Sequence, residues 1–370
     1  MALVVLISAG PALAGRAVAR QDTPPGYTVS ELPLLQPDGT DRIVGAAAVA
    51  INESGDVAGD VEAAIGTDYP AYALSWRKGK PKYLGAEGEI GSANDINKGR
   101  RAVGYTRADV KAYTSTAVVW MKGVSTPLKS LGGNNSVAFA INDKNAIVGW
   151  STTAESGDVA NRIHACLWSK DEATDLGSLG GNDGESFATD LNAAGQIVGG
   201  ANPTPGSLTP GVGIVDVVTS VRAGTHAVLW DGDAITDLGT LGGDGSIATG
   251  ISDGGQIVGT SSLKDGHNRA FLWEKDKLTN LGVLPEGGDS SYAADINSAA
   301  QVVGLVEGYG DYGRVAFLWQ NGTMIDLNTL IPSDSGWALL GAWAINDAGQ
   351  IVGFGQGPDG EQVFLLTPVA

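Results

Sequence analysis

Seven near-copies of one short pattern run along this chain, and few architectures can hold them. The clearest copy, residues 246–259, reads SIATGISDGGQIVG. Apolar Ile247 and Ile251, with small Ala248 and Gly250 between them, suit a short strand. Ser252, Asp253, Gly254 and Gly255 supply turn chemistry, and Gln256, Ile257 and Val258 start a second strand, so the unit is a β-hairpin. The copies end at Gly59, Gly104, Gly149, Gly199, Gly259, Gly304 and Gly353, at spacings of 45, 45, 50, 60, 45 and 49 residues. A period in that range belongs to propellers and arrays rather than to isolated hairpins.

Each hairpin leads into a third segment with the alternation of a strand, as in HACLW (164–168) or RAFLW (269–273). Six of these end in tryptophan, at Trp76, Trp120, Trp168, Trp230, Trp273 and Trp319, with Leu366 in the seventh. A fourth segment follows, as in TDLGTLGG (236–243). Four strands per unit make one blade, and the spacing predicts blades over 46–85, 92–131, 137–179, 186–241, 246–284 and 291–327. The seventh unit has its hairpin at 342–353 and a third strand at 362–366 but no fourth.

Residues 27–35, YTVSELPLL, place Glu31, Leu32 and Leu35 where Asp237, Leu238 and Leu241 stand in blade 4. A strand from the N-terminus that completes the last blade closes the ring and removes its exposed ends. The expected fold is therefore all-β, a seven-bladed β-propeller of four-stranded antiparallel blades with its last blade closed by an N-terminal strand. Residues 1–26 read as a signal-like segment and linker, and 27–370 as a single propeller domain. An alanine recurs four residues before each turn, at Ala48, Ala93, Ala138, Ala188, Ala248, Ala293 and Ala342. Small side chains there let innermost strands crowd around one axis, while the tryptophans fill the widening wedge, each contributing about 2–3 kcal/mol.

Units of the form HAFLW, DLGTLGG, S-x-A and IND-x-GQIVG resemble the HAF-repeat family of extracellular repeat proteins, over nearly the whole span 27–366. His-Ala itself stands only at His164-Ala165 and His226-Ala227; Tyr72, Thr116, Arg269, Val315 and Gln362 take the histidine position elsewhere. The resemblance implies a repeat fold and an extracellular or periplasmic location, and it brings no catalytic activity or site residues.

Formal net charge is -18, which opposes the basic stripe that nucleic acid and anionic membranes require. The apolar run 2–7 and the small residues Ala12-Leu13-Ala14 resemble a secretory signal lacking its basic start, and the run is too short to span a membrane. Cys166 is the single cysteine, so no intrachain disulfide is expected.

Most recurrent polar residues read as structural. His164 and His226 hold equivalent places, but zinc needs three or four converging ligands and His267 sits in a loop, so no metal is expected. Asn52, Asn97, Asn142, Asn192, Asn297 and Asn346 read as turn formers. Asp95, Asp190 and Asp295 fall inside the innermost strands, where backbone or turn groups of neighbouring blades are expected to bond them. Chemistry is sought instead on the face with variable loops. Its longest connection, 201–225, contains the apolar run GIVDVVTSV and reads as a lid or an extra hairpin.

That face gathers acids (Asp38, Asp41, Glu87, Glu89, Asp183, Glu185, Asp244, Asp289) and the aromatics Tyr69 and Tyr113. Tyr309, Asp311, Tyr312, Asp334 and Trp337 form the candidate ligand-binding patch, since flat apolar rings beside carboxylates suit sugars or cations. The reading is a secreted, monomeric, non-enzymatic binding or scaffold module without a cofactor, its ligand a polysaccharide, envelope component or protein. The alternative is an extracellular hydrolase or lyase using paired carboxylates on the loop face, which needs two of them within about 5–10 Å.

Overall fold

The computed structural model describes residues 26–154, 162–170, 172–181, 184–203, 213–219 and 221–369. The signal-like stretch over 1–25, Asp183 and residues 204–212 of the long connection lie outside the described residues. The strands form seven four-stranded antiparallel sheets, each packed on the next and the seventh on the first. This is the expected β-propeller. No helix among the described residues is long and apolar enough to cross a membrane.

The closing strand is Tyr27–Glu31, paired antiparallel with Gly360–Pro368 from Tyr27 opposite Pro368 to Glu31 opposite Phe364. Leu32 continues the ladder, its N–H donating to the Val363 carbonyl at 3.0 Å, and its side chain is buried. The chain then reaches into blade 1, where Trp76 Nε1 donates to the Pro33 carbonyl and the Tyr83 hydroxyl to that of Leu35. One ribbon thus completes blade 7 and ties it to blade 1.

The glycine that ends each hairpin has a steric cause. Every innermost strand slips register just after its recurring alanine, for instance between Ala248 and Gly250 or Ala293 and Asp295. A bulge of this kind presses one carbonyl of the bulged strand toward its partner. A Cβ on Gly59 would collide with the Ala47 carbonyl, on Gly259 with that of Ile247, and on Gly304 with that of Tyr292. The other four copies repeat the collision with Ser92, Val137, Phe187 and Gly341.

The turn asparagines do more than form turns. Asn52 Oδ1 accepts from the Ser54 and Asp56 amides, as an Asx turn requires, while its Nδ2 donates to the Asn97 carbonyl of the next blade at 2.9 Å. The same link runs Asn97 to Asn142, Asn142 to Asn192, Asn192 to Ser252, Asn297 to Asn346 and Asn346 to Asn52. Only the step from Ser252 to Asn297 lacks the amide, because serine is too short. Ser252→Asn is expected to complete the ring, adding about 1 kcal/mol and raising the calorimetric Tm by about 1–2 °C. A lower or unchanged Tm would argue that this link is dispensable.

The S-x-A serines also cross between blades. Ser186 Oγ accepts from the Ala165 amide and donates to the Gly177 carbonyl of blade 3; Ser246 treats Ala227 and Gly239 alike, and Ser291 treats Ala270 and Gly282 alike. The His-Ala units complete this pattern. His164 Nδ1 lies 2.7 Å from Asp175 and His226 Nδ1 2.7 Å from Asp237, so each histidine is held by the DLG aspartate of its own blade. Trp76, Trp120, Trp168 and Trp230 are buried in the wedges as expected, whereas Trp273 and Trp319 are only half-buried.

Candidate ligand cleft on the loop face

With the repeated letters occupied in holding blades together, the unrepeated residues carry the candidate site. Over its described part the long connection holds a helix rather than an extra hairpin. Ile214–Val218 form a short helix, α1, packed on the innermost strands of blades 5 and 6. Val217 is buried in a cluster with Tyr105, Trp150, Phe187 and Ile247, and Val218 in another with Val49, Tyr292, Leu305 and Trp343. Those partners come from all seven blades, so α1 sits over the axis on the loop face. Val217 and Val218 supply the apolar side chains that a plug in an apolar funnel requires.

Beside α1 opens a cleft of about 830 Å³ above blade 7, between blades 6 and 1. One wall is apolar, from Leu34, Ile43 and Val44. The opposite wall carries Tyr312, Arg314 and Glu307, and the floor holds Trp343 and Phe354. Those two rings stack with centroids 5.6 Å apart and planes 10° apart, and the Arg314 guanidinium lies 5.1 Å over Phe354. Glu307 accepts from the Tyr292 hydroxyl at 3.0 Å.

Toward the axis the cleft meets Glu62 and Asp216. Burial pushes both carboxyls above their ordinary values, and the Asp216 charge raises Glu62 further. Asp60, wholly buried behind them, is pushed up to about 7, chiefly by desolvation, although the Ser92 hydroxyl donates to it at 2.6 Å. Such a group of carboxyls can accept hydrogen bonds from a ligand or hold a proton near neutrality.

On the axis below, a small cavity of about 150 Å³ is ringed by Asp95, Asp190 and Asp295. As expected, neighbouring backbone holds them. Asp95 accepts from its own Ile96 amide and from Ile141 of blade 3, Asp190 from Leu191 and Ile251, and Asp295 from Ile296 and Ile345. The aspartates therefore join blades in pairs, 2 with 3, 4 with 5 and 6 with 7. Seven is odd, so blade 1 carries Ala50 and stands outside the pairing. Among the described residues, no group of three or more His, Cys, Asp or Glu side chains converges to hold a metal ion.

Burial raises Asp95 to about 6 and Asp295 to about 7, and pushes Asp190 well up with help from the Asp295 charge. An acid whose folded value lies above its unfolded one stabilises the fold fully below about pH 4, and that contribution is lost as pH rises through the folded value. Melting temperature is expected to fall between pH 5 and pH 8, and Asp295→Asn to flatten that fall. An equal fall in the variant would place the dependence elsewhere.

Of the sequence-derived patch, one residue lines this cleft. Tyr312 is 54% exposed and lines the cleft. Tyr309 packs against the buried cluster that holds Leu284, Val315 and Phe317, and burial raises its phenol. Trp337 packs edge-on to Phe364, centroids 6.0 Å apart. Asp311 and Asp334 are exposed, and neither they nor Tyr309 or Trp337 line the cleft. Of the acids, Glu89 is structural, accepting from Trp120 Nε1 and the Ser125 hydroxyl. Glu62, Asp216, Arg314, Trp343 and Phe354 were not singled out from sequence. The available signals were the 60-residue spacing and Trp343, a tryptophan outside the repeated position.

No family model matches this sequence, and no curated protein does. Among solved structures, the chain is similar to the β-propeller domain of the Trilobed protease from Pyrococcus furiosus at 10% identity, with 88% of this chain and 95% of that one covered and a TM-score of 0.53. That propeller has an open velcro topology; here the ring is latched by the closing strand. A puromycin-hydrolyzing peptidase of Mycobacterium tuberculosis matches at 12% identity, over 92% of this chain and 54% of that one, with a TM-score of 0.49. A gluconolactonase, XC5397 from Xanthomonas campestris, matches at 12% identity over 96% and 99%, with a TM-score of 0.40. At 10% identity the likeness to the Trilobed protease domain shows the β-propeller fold alone.

Proposed function

We propose that this chain is an exported, non-enzymatic HAF-type repeat protein that binds a polysaccharide, envelope component or protein ligand on its loop face. The observation that carries the reading is the cleft of about 830 Å³ beside α1, built from residues outside the repeat and combining apolar, aromatic and charged walls. Tyr309, Asp311, Asp334 and Trp337 remain part of this reading on sequence grounds, with Tyr312 lining the cleft. The HAF-type motifs and the signal-like N-terminus support export, which a reporter fused behind residues 1–26 tests by its arrival outside the cytoplasm.

A glycan array on the purified chain tests binding, with Tyr312→Ala and Trp337→Ala as paired variants. Signal above background that drops about tenfold in Tyr312→Ala is expected, a loss of about 1.4 kcal/mol at a single ring. Absence of signal, or signal indifferent to both substitutions, removes the proposal. The enzymatic alternative draws on Glu62 and Asp216, two carboxyls raised by burial at the edge of a cleft. Consumption of a bound glycan that stops in both Glu62→Gln and Asp216→Asn would make the chain a hydrolase or lyase.

A further inference from the structure

Arg314 is the one cation among the described residues that line the cleft. The residue is half-buried, its guanidinium carbon lies 5.1 Å over the Phe354 ring centroid, and it makes no ion pair or hydrogen bond among the described residues. A guanidinium pinned in this way keeps its fork of N–H donors free and oriented, which is the geometry that recognises a carboxylate through two parallel bonds. Glu307, opposite it across the strand pair, is already engaged by Tyr292.

The rest of the cleft offers mainly acceptors. Glu62, Asp216 and Glu361 line it, and Gln362 Oε1 is buried without a hydrogen-bond partner. That oxygen is packed against Gly357 and closed to the cleft, so the carboxyl oxygens are the acceptors that call for a donor from outside the chain. The complementary ligand therefore carries one carboxylate and several O–H donors on a ring with apolar faces for Tyr312. Burial holds the Glu62 and Asp216 carboxyls toward their neutral form, which lessens their repulsion of an anion.

We propose that the cleft takes a uronate unit of an acidic polysaccharide, its carboxylate on Arg314 and its hydroxyls donating to Glu62 and Asp216. This rests on the binding reading above and names its ligand class.

The test is calorimetric titration with α-1,4-trigalacturonate, its methyl ester, a chitosan trimer and a tripeptide with a free C-terminal carboxylate. The free-acid uronate is expected to bind. Methyl esterification, or Arg314→Met with its apolar stem still on Phe354, is expected to weaken it about 10–100-fold. Arg314→Lys is expected to recover only part, since an ammonium cannot make the paired bonds. Equal binding of acid and ester, unchanged affinity in Arg314→Met, or preference for the chitosan or peptide overturns the assignment. Array binding by neutral glycans alone overturns it while leaving the cleft as a ligand site; binding by no glycan removes both proposals. If Arg314→Met does not fold, the acid-against-ester comparison on the unaltered protein decides.

Discussion

Gly259→Ala is expected to cost about 4 kcal/mol or more, a large part of the 5–15 kcal/mol by which domains are stable. The new methyl would fall inside the contact distance of the Ile247 carbonyl and against the Phe271 ring. Neither neighbour can yield. The carbonyl belongs to a bulged innermost strand whose two sides are fixed by paired residues, and Phe271 is fully buried. Gly254→Ala, five residues earlier in the same hairpin, is the control, because its nearest neighbour is Ser252 Oγ at 3.6 Å. It is expected to stay within about 0.5 kcal/mol of the parent. Urea unfolding of both variants measures the contrast, and equal midpoints would show that the bulge can relax.

Removing the closing strand, by starting the chain at residue 33, is expected to have a comparable effect through a different cause. Blade 7 loses the ladder from Tyr27 to Glu31 and the buried Leu32. The wedge beneath Trp76 is opened at the same time, because Leu32 shares its cluster. Burial of Leu32 and Tyr27 and the lost hydrogen bonds together amount to about 5 kcal/mol or more. The strand Gly360–Pro368 would then present a bare edge, so association into larger species is expected in size-exclusion chromatography. A truncated chain that elutes and melts like the parent would show that the ring stands without its latch. Restoration by an added peptide spanning residues 26–36 would show the latch to act by pairing alone.

The two contrasts explain why so much of the architecture was legible in the letters. Propeller blades repeat their neighbours' environment, so any residue needed at a blade-to-blade contact recurs at the repeat spacing. The glycine against the bulge, the alanine at the crowded axis and the tryptophan in the wedge all recur for this reason. The missing fourth strand of the last unit pointed to its substitute at the other terminus because a blade needs a partnered edge. The asparagines were visible for the same cause but only half understood. Their turn-forming oxygen is a local matter, whereas the amide that reaches the next blade depends on how closely two turns approach.

The candidate site was far less legible because it belongs to no repeat. Tyr312 was singled out and does line the cleft, but Trp337, close in sequence to the same loops, packs against Phe364. Sequence places both on one face without telling which ring points outward. Asp216 lies inside an apolar run and reads as a lone acid in a loop until α1 carries it to the mouth of the axis beside Glu62. Arg314 and Phe354 come from neighbouring blades and meet only across the wedge between them.

The sequence by itself determined the number of blades, the order of strands within each, the small residues on the axis and the borrowed strand that closes the circle. These follow from periodicity, since identical contacts around an axis demand identical side chains. Tertiary structure alone decided that the longest connection folds down over the axis, that three aspartates clasp the blades in pairs with one blade left over, and that a guanidinium lies unengaged above a stacked pair of rings. Each of these joins residues of different blades that occur once, and a contact made once leaves no period to read.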